Sequence, residues 1–364
     1  MSVPTLPGIT ARTVTSSRIT TRVLFAGAPG GAPVLFLHGN TSSATWWEEA
    51  MLALPEGFRG IAPDQRGFGE AEPARKIDAI RGLGDLADDA IALMDALAIA
   101  RAHVIGHSLG GSVIWRLLTD MPTRFITATL VNPGSPYGFG STKDVAGTPC
   151  WPDYSGSGGG LSNPELIKRL TAGDRSTESP FSPRSALRNL LVKPPFIPAR
   201  EEDLVSSMLS THMGPQDVPG DTVPSANWPY AAPGVWGPAN ALSPKYAIDP
   251  AKLYATTHRV RILWVRGSHD LVVGDTAFSD PGFLGMSGLI PGWPGMDIFP
   301  PQPMVGQTRA VLGRYCEAAG CFREHVIQDT GHSPYIENPD EFNAIFHAHL
   351  GATAYVGSAQ AGRD

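Results

Sequence analysis

A chain of 364 residues exceeds the usual single-domain size, and its 28 Lys and Arg against 34 Asp and Glu leave a net charge of −6. That balance supplies no basic field for a nucleic acid or an anionic membrane surface, so neither is expected as a partner. The three cysteines, Cys150, Cys316 and Cys321, cannot all pair within one chain, and residues 1–22 hold no apolar run of signal-peptide length. Both features point to a reducing cytoplasm. A Cys316–Cys321 bridge stays open for an oxidising setting, with two packed thiols the favoured reading.

In chain order, the first stretch is polar and rich in Thr and Ser, and residues 19–26 then alternate as an edge strand does. Residues 34–37 are an uninterrupted apolar run, expected of a parallel strand buried on both faces, and they lead into His38-Gly39-Asn40. Residues 58–63 lead to Asp64-Gln65-Arg66-Gly67-Phe68-Gly69, where Asp64 and Arg66 are expected to form an internal ion pair. From 85 to 97, Leu86, Ile91, Leu93, Met94 and Leu97 make an apolar face opposite Asp85, Asp88, Asp89 and Asp95, the pattern of an amphipathic helix on a sheet. Trp46 and Trp47 are expected to pack as core or as pocket wall.

His103-Val104-Ile105 meets Gly106-His107-Ser108-Leu109-Gly110, and a helix-like stretch follows at 112–118. Strand, sharp turn and helix in that order hold the middle residue out on a strained backbone, with Gly106 and Gly110 giving the turn room to close. The Leu109 N–H and the positive end of the helix then point to where an oxyanion would form. A serine is a poor nucleophile without a histidine to take its proton and a carboxylate to orient that histidine. Downstream, residues 261–265 are strand-like and end in Arg266-Gly267-Ser268-His269-Asp270. Residues 326–332 repeat the pattern and end on Gly331-His332. The candidate triad is therefore Ser108, Asp270 and His332. Residues 125–131 read as a further strand, but no carboxylate follows it until Asp144, which favours Asp270 as the acid.

Four motifs in this order, His38-Gly39-Asn40, Asp64 to Gly69, Gly106 to Gly110, and Gly331-His332-Ser333-Pro334-Tyr335-Ile336-Glu337-Asn338-Pro339, resemble those of α/β-hydrolase-fold serine hydrolases. The resemblance runs from about residue 18 to 350. It implies an α/β fold with a mostly parallel central sheet flanked by helices and a large inserted cap. It also implies that the residue after His-Gly, here Asn40, gives a second oxyanion N–H beside Leu109. The segment 38–43 is also similar to haloalkane dehalogenases and epoxide hydrolases. Ser108 stands where those enzymes need an aspartate, and Leu109 stands where dehalogenases carry a halide-holding tryptophan, so that chemistry is rejected.

The core is assigned to residues 1–132 and 256–364, and the cap to 133–255, where Pro, Gly and Trp replace the regular alternation. Cap helices are expected at 164–170 behind Asn163, at 183–191 behind Ser182, and at 199–209. Residues 279–303 form a second, apolar insertion without helical or strand period. Because it begins just after Asp270, it belongs on the rim of the site. Core helices are expected at 305–319 and 341–350; His347 and His349 on the latter are read as a solvated helix end and not as metal ligands.

Three functions fit these residues. The first is hydrolysis of a carboxylic ester or lactone through an acyl-enzyme, on a bulky, mainly uncharged small molecule. The second keeps the triad and changes the bond, to an amide, a carbon–carbon bond beside a ketone, or acyl transfer. The third is a ligand-binding receptor that retains the triad. No metal or organic cofactor is called for, and the oligomeric state, monomer or homodimer, is left open.

Overall fold

The computed structural model describes residues 3–352. Eight strands form one sheet: β1 (Thr10–Thr15), β2 (Thr20–Gly27), β3 (Ala32–Leu37), β4 (Phe58–Pro63), β5 (Ala102–His107), β6 (Phe125–Val131), β7 (Arg261–Gly267) and β8 (Cys321–Ile327). Their order is β1-β2-β4-β3-β5-β6-β7-β8. β2 runs antiparallel to β1 and β4, and the pairings from β4 to β8 are parallel. This is the mostly parallel, helix-flanked sheet of the α/β-hydrolase fold. β1 extends it beyond the strand expected at 19–26; its Thr-rich sequence is almost wholly exposed, as a polar edge strand must be.

Alternation along β3 shows how the sheet builds two layers. Leu35 and Leu37 point into a cluster with Val104, Leu130 and Trp264, covered by α1 (Gly84–Ala96), α2 (Leu109–Asp120) and, further along the chain, a helix over Met304–Glu317. Val34 and Phe36 point the other way, into a cluster with Ile105, Val265, Trp47, Phe342 and Phe346. Phe36 meets the rings of Trp47 and Phe346 at centroid distances of 5.4 and 6.2 Å. Each such fully buried aromatic contributes roughly 2–3 kcal/mol by area. Trp46 and Trp47 thus belong to the core.

Between β6 and β7 lie α3 (Pro164–Thr171), a helical turn at Pro183–Ala186 that widens into a π turn over Leu187–Leu191, and α4 (Glu201–Leu209). Asn163 and Ser182 cap the first two through their side chains. This insertion has no core of its own. Leu187, Val192, Leu204, Val205 and Met208 join the Trp47 layer, while Val218, Ala241 and Leu253 join the opposite one. Within the second insertion, α5 (Pro281–Met286) is a helix where none was expected, capped by Asp280, whose side chain accepts the Phe283 N–H. α6 (Met304–Glu317) and α7 (Pro339–Gly351) complete the layers.

Several polar expectations are corrected by partners distant in sequence. Asp64 and Arg66 do not pair with each other. Arg66 makes a two-pronged pair with Asp89 at 2.7 Å on both arms, whereas Asp64 lies 3.8 Å from Arg22 and accepts the N–H groups of Ala44 and Glu70. Asp85 and Asp89, on the polar face of α1, are buried all the same because Arg18 and Arg66 reach them. His349 is buried, not solvated, and burial lowers its pKa to about 4. All three cysteines are free thiols.

Candidate active site

The strand order fixes where a site can form. From β3 the chain goes outward to β4 and then returns to β5 on the opposite side, so the connections leaving β3 and β5 diverge and open a crevice at their carboxyl ends. His38-Gly39-Asn40 leaves β3 there, and Ser108 leaves β5.

Ser108 has φ 54° and ψ −118°, between the end of β5 and the first turn of α2. Holding a non-glycine residue there costs about 1–3 kcal/mol, which its surroundings offset. Its N–H donates to the Val131 carbonyl at 2.9 Å. The turn also needs its flanking glycines. A Cβ at Gly106 would lie 2.3 Å from the Gly110 carbonyl oxygen, and one at Gly110 would lie 2.1 Å from that of Leu37. The Leu109 N–H is among the first four of the helix, which have no acceptor within it. A Cβ at Gly39 would lie 3.2 Å from Ser108 Cβ, so the turn leading to Asn40 runs beside the serine. The Asn40 side chain is exposed and accepts the Thr41 N–H at 3.0 Å, closing its own turn.

Asp270 and His332 meet 62 residues apart in the chain. His332 Nδ1 lies 2.9 Å from Asp270 Oδ2, and both side chains are almost fully buried, at 2% and 4% exposure. The other carboxylate oxygen, Oδ1, accepts the N–H groups of Val272 and Val273 at 2.7 and 3.0 Å. An accepting carboxylate keeps the proton on Nδ1, so the Nε2 lone pair of a neutral imidazole stays available. Asp144 instead accepts the Ala146 and Thr148 N–H groups of its own turn.

The His332 ring lies against that of His107, immediately before Ser108, with centroids 4.6 Å apart. His107 Nε2 donates to the His332 carbonyl at 2.8 Å, and Asn132 Nδ2 donates to the same oxygen at 2.7 Å. Asn132 also accepts the Gly267 N–H at 3.2 Å, so one amide at the end of β6 links the end of β7 to the histidine loop. Burial, with His332 alongside, holds the His107 pKa well below its ordinary value, and burial lowers that of His38 to about 4. His38 Nε2 accepts the Gln65 N–H at 2.9 Å, which leaves its proton on Nδ1, facing the Gly39 carbonyl and Ser42 Oγ. Both imidazoles therefore brace the loops as neutral groups.

The structure thus brings Asp270 to His332, and His332 to the turn that carries Ser108, with the Asn40 turn and the start of α2 on either side. Sequence reasoning passed over two residues that hold this arrangement. Asn132 carries no role in the sequence reading, and Glu337 enters it only within a motif; the signal for both is their place just beyond a strand end or the candidate histidine. Among the described residues, no three His, Cys, Asp or Glu side chains converge as metal ligands, and no helix is long and apolar enough to cross a membrane.

RutD of Variovorax paradoxus (strain S110), named for carbamate hydrolysis, is 41% identical over 110 residues, which is 30% of this chain and 41% of that protein. Matches to curated relatives such as this one span less than half of the relatives' own length. A serine hydrolase from the polyaromatic hydrocarbon-degrading bacterium Cycloclasticus zankles superposes with a TM-score of 0.61 at 18% identity, covering 95% of this chain and 99% of that one. A carboxylesterase, CesB of Bacillus subtilis, superposes with a TM-score of 0.56 at 16% identity, covering 94% and 91%. At such identities these structures speak for the fold alone. The sequence profile of the alpha/beta hydrolase family matches residues 34–345, a span that contains the elbow, the acid loop and the histidine loop, and the chain belongs to that family.

Proposed function

We propose that the protein is a serine hydrolase that cleaves a carboxylic ester or lactone through an acyl-enzyme. The observation that carries this reading is the 2.9 Å Asp270–His332 contact, seated against the turn that presents Ser108. Ser108 Oγ attacks the carbonyl carbon while His332 Nε2 takes its proton, and the Asn40 and Leu109 N–H groups receive the oxyanion. Collapse of the tetrahedral adduct breaks the bond to the alcohol oxygen, which leaves with the proton from His332. Water then attacks the acyl carbon, giving a proton to His332, and Ser108 leaves with it as the acid is released. Asp270 keeps the imidazole in the tautomer with Nε2 free and stabilises the imidazolium.

The segment 133–255 acts as a cap and residues 279–303 as an apolar rim. Together they suit a bulky, mainly uncharged small molecule. One preparation assayed on p-nitrophenyl esters, lactones and anilides tests the reading. Turnover of esters or lactones that disappears in Ser108→Ala is expected, and an acyl-enzyme should accumulate in a burst. A preference for anilides, or turnover that survives loss of Ser108, would sink it.

A further inference from the structure

Glu337 takes no part in the acyl-transfer steps, yet its carboxylate is surrounded by backbone donors from two parts of the chain. The Gly331 N–H lies 2.9 Å from both oxygens, and the Ser333 N–H lies 3.3 Å from Oε1. These two amides flank His332. The Lys193 N–H, 2.7 Å from Oε2, comes instead from the insertion between β6 and β7. Since all these partners donate, the site is built for a carboxylate. Burial pushes the Glu337 pKa upward, and the three amides oppose that shift.

The two segments are pressed together at this point. A Cβ on Gly331 would fall 2.8 Å from Lys193 N and 3.0 Å from the carbonyl carbon of Val192. Beside it, Lys193 Nζ pairs with Asp329 Oδ1 at 2.8 Å. Val192 is buried in the same cluster as Tyr335 and Ile336, the residues just before Glu337. A displacement of residues 192–193 therefore has no slack to absorb it before it reaches the histidine loop.

We propose that Glu337 is a positioning residue that couples the insertion to His332, one carboxylate fixing the loop on both sides of the histidine while it also binds the Lys193 amide. The His332 carbonyl is already held by His107 and Asn132. Glu337 adds a further restraint, and together with the Lys193–Asp329 pair it registers where the insertion lies. Closing the insertion sets the imidazole, and loosening it frees the imidazole. This inference rests on His332 being the base.

Three variants test it on p-nitrophenyl acetate, with amide hydrogen exchange as a second readout. Glu337→Gln replaces an accepting oxygen with a donor, and should lower kcat about 10- to 100-fold with KM within about twofold. It also removes a negative charge near His332, so the acid limb of kcat/KM should move to lower pH. Lys193→Pro deletes both links that Lys193 makes to the histidine loop, the amide donor to Glu337 and the Nζ pair with Asp329, and leaves Glu337 in place. It should lower kcat about fivefold and speed exchange at Gly331, on the far side of the contact. Glu337→Asp keeps the charge but is one methylene short of spanning both partners; it should keep the acid limb, lower kcat and speed exchange at Lys193, and it decides the matter if Lys193→Pro does not fold. Folded variants with wild-type kcat, an unmoved acid limb and unchanged exchange across the contact would overturn the coupling. Exchange is read without turnover. If Ser108→Ala or His332→Ala retained activity, the triad would fail and the clasp would still be measured.

Discussion

At the scale of single residues, the candidate nucleophile is held by its neighbours' lack of side chains. The positive φ of Ser108 persists because Gly106 and Gly110 let α2 start in contact with the ends of β5 and β3. Ser108→Ala, His332→Ala and Asp270→Asn should each lower turnover by roughly 10³-fold or more with folding intact, and combining them should add little. Asp270→Asn is the informative one: its Nδ2 would face the imidazole as a donor and favour the wrong tautomer. Near-normal turnover in that variant would remove Asp270 from the mechanism. The triad candidates were legible because each follows a strand-like run and a Gly-containing turn, signals confined to a few adjacent residues. Partners of buried charges were not. Arg66 had Asp64 two residues away, yet it pairs with Asp89 on α1, and Asp64 lies beside Arg22 on β2. Sequence neighbours on a turn need not face each other, and that choice is made only when elements pack.

At the scale of elements, strong periodicity was legible and its absence misled. β3, β5 and β6 are apolar runs, and α1 shows its apolar stripe. The exposed edge strand β1 is Thr-rich without an apolar face, so nothing distinguished it from a loop. α5 is too short and Gly-rich to show a period, and what makes it a helix is the Asp280 cap. The same Asp280 oxygen also accepts the Gln302 N–H at 3.0 Å, closing the neck of the second insertion. Beyond the neck the two insertions touch: Trp228 Nε1 donates to the Pro291 carbonyl at 2.8 Å, and its ring meets Phe299 at 4.9 Å. Met286, Leu289, Met296 and Ile298 remain exposed. If this rim shapes the substrate pocket, changing Phe283, Leu284 and Trp293 to alanine should flatten the dependence of kcat/KM on ester size and spare the smallest ester. Unchanged selectivity in a folded variant would take the rim out of the pocket.

At the scale of the whole molecule, buried histidines set the response to acid. Burial lowers the pKa of His38, His103 and His349 to about 4, and that of His107 well below its ordinary value. Between the folded value near 4 and the unfolded value near 6.5, the unfolded chain binds more protons, so stability rises with pH across this window and is lost as pH falls through it. At pH 5.5 each of the three histidines near 4 forfeits on the order of 1 kcal/mol relative to neutral pH, so together they weigh a few kcal/mol against the fold. Asp280, raised by burial to about 6, acts in the opposite direction: its folded form holds the proton more tightly, and its contribution fades as pH rises through 6. Glu48, Asp64 and Glu337, also raised by burial, act in the same direction as Asp280 and blunt the histidine trend. Urea unfolding at pH 5.5 and 7.5 checks this: a higher midpoint at pH 7.5 is expected, and equal midpoints would show that the histidines do not outweigh the buried carboxylates.

The ends of β5, β6, β7 and β8 are laid side by side by a sheet whose edge strand, β8, is also the last of the eight in chain order. A growing or refolding chain can form the elbow early, from local contacts and the nearby end of β6. On the proposed mechanism it cannot be a catalyst until a strand starting at Cys321 has zipped onto β7 and delivered His332. On that reading activity is a clock for the docking of β8. In refolding experiments, recovery of turnover should lag behind burial of Trp115 on α2, whose Nε1 donates to the Gly134 carbonyl, whereas simultaneous recovery would mean that β8 docks along with the rest.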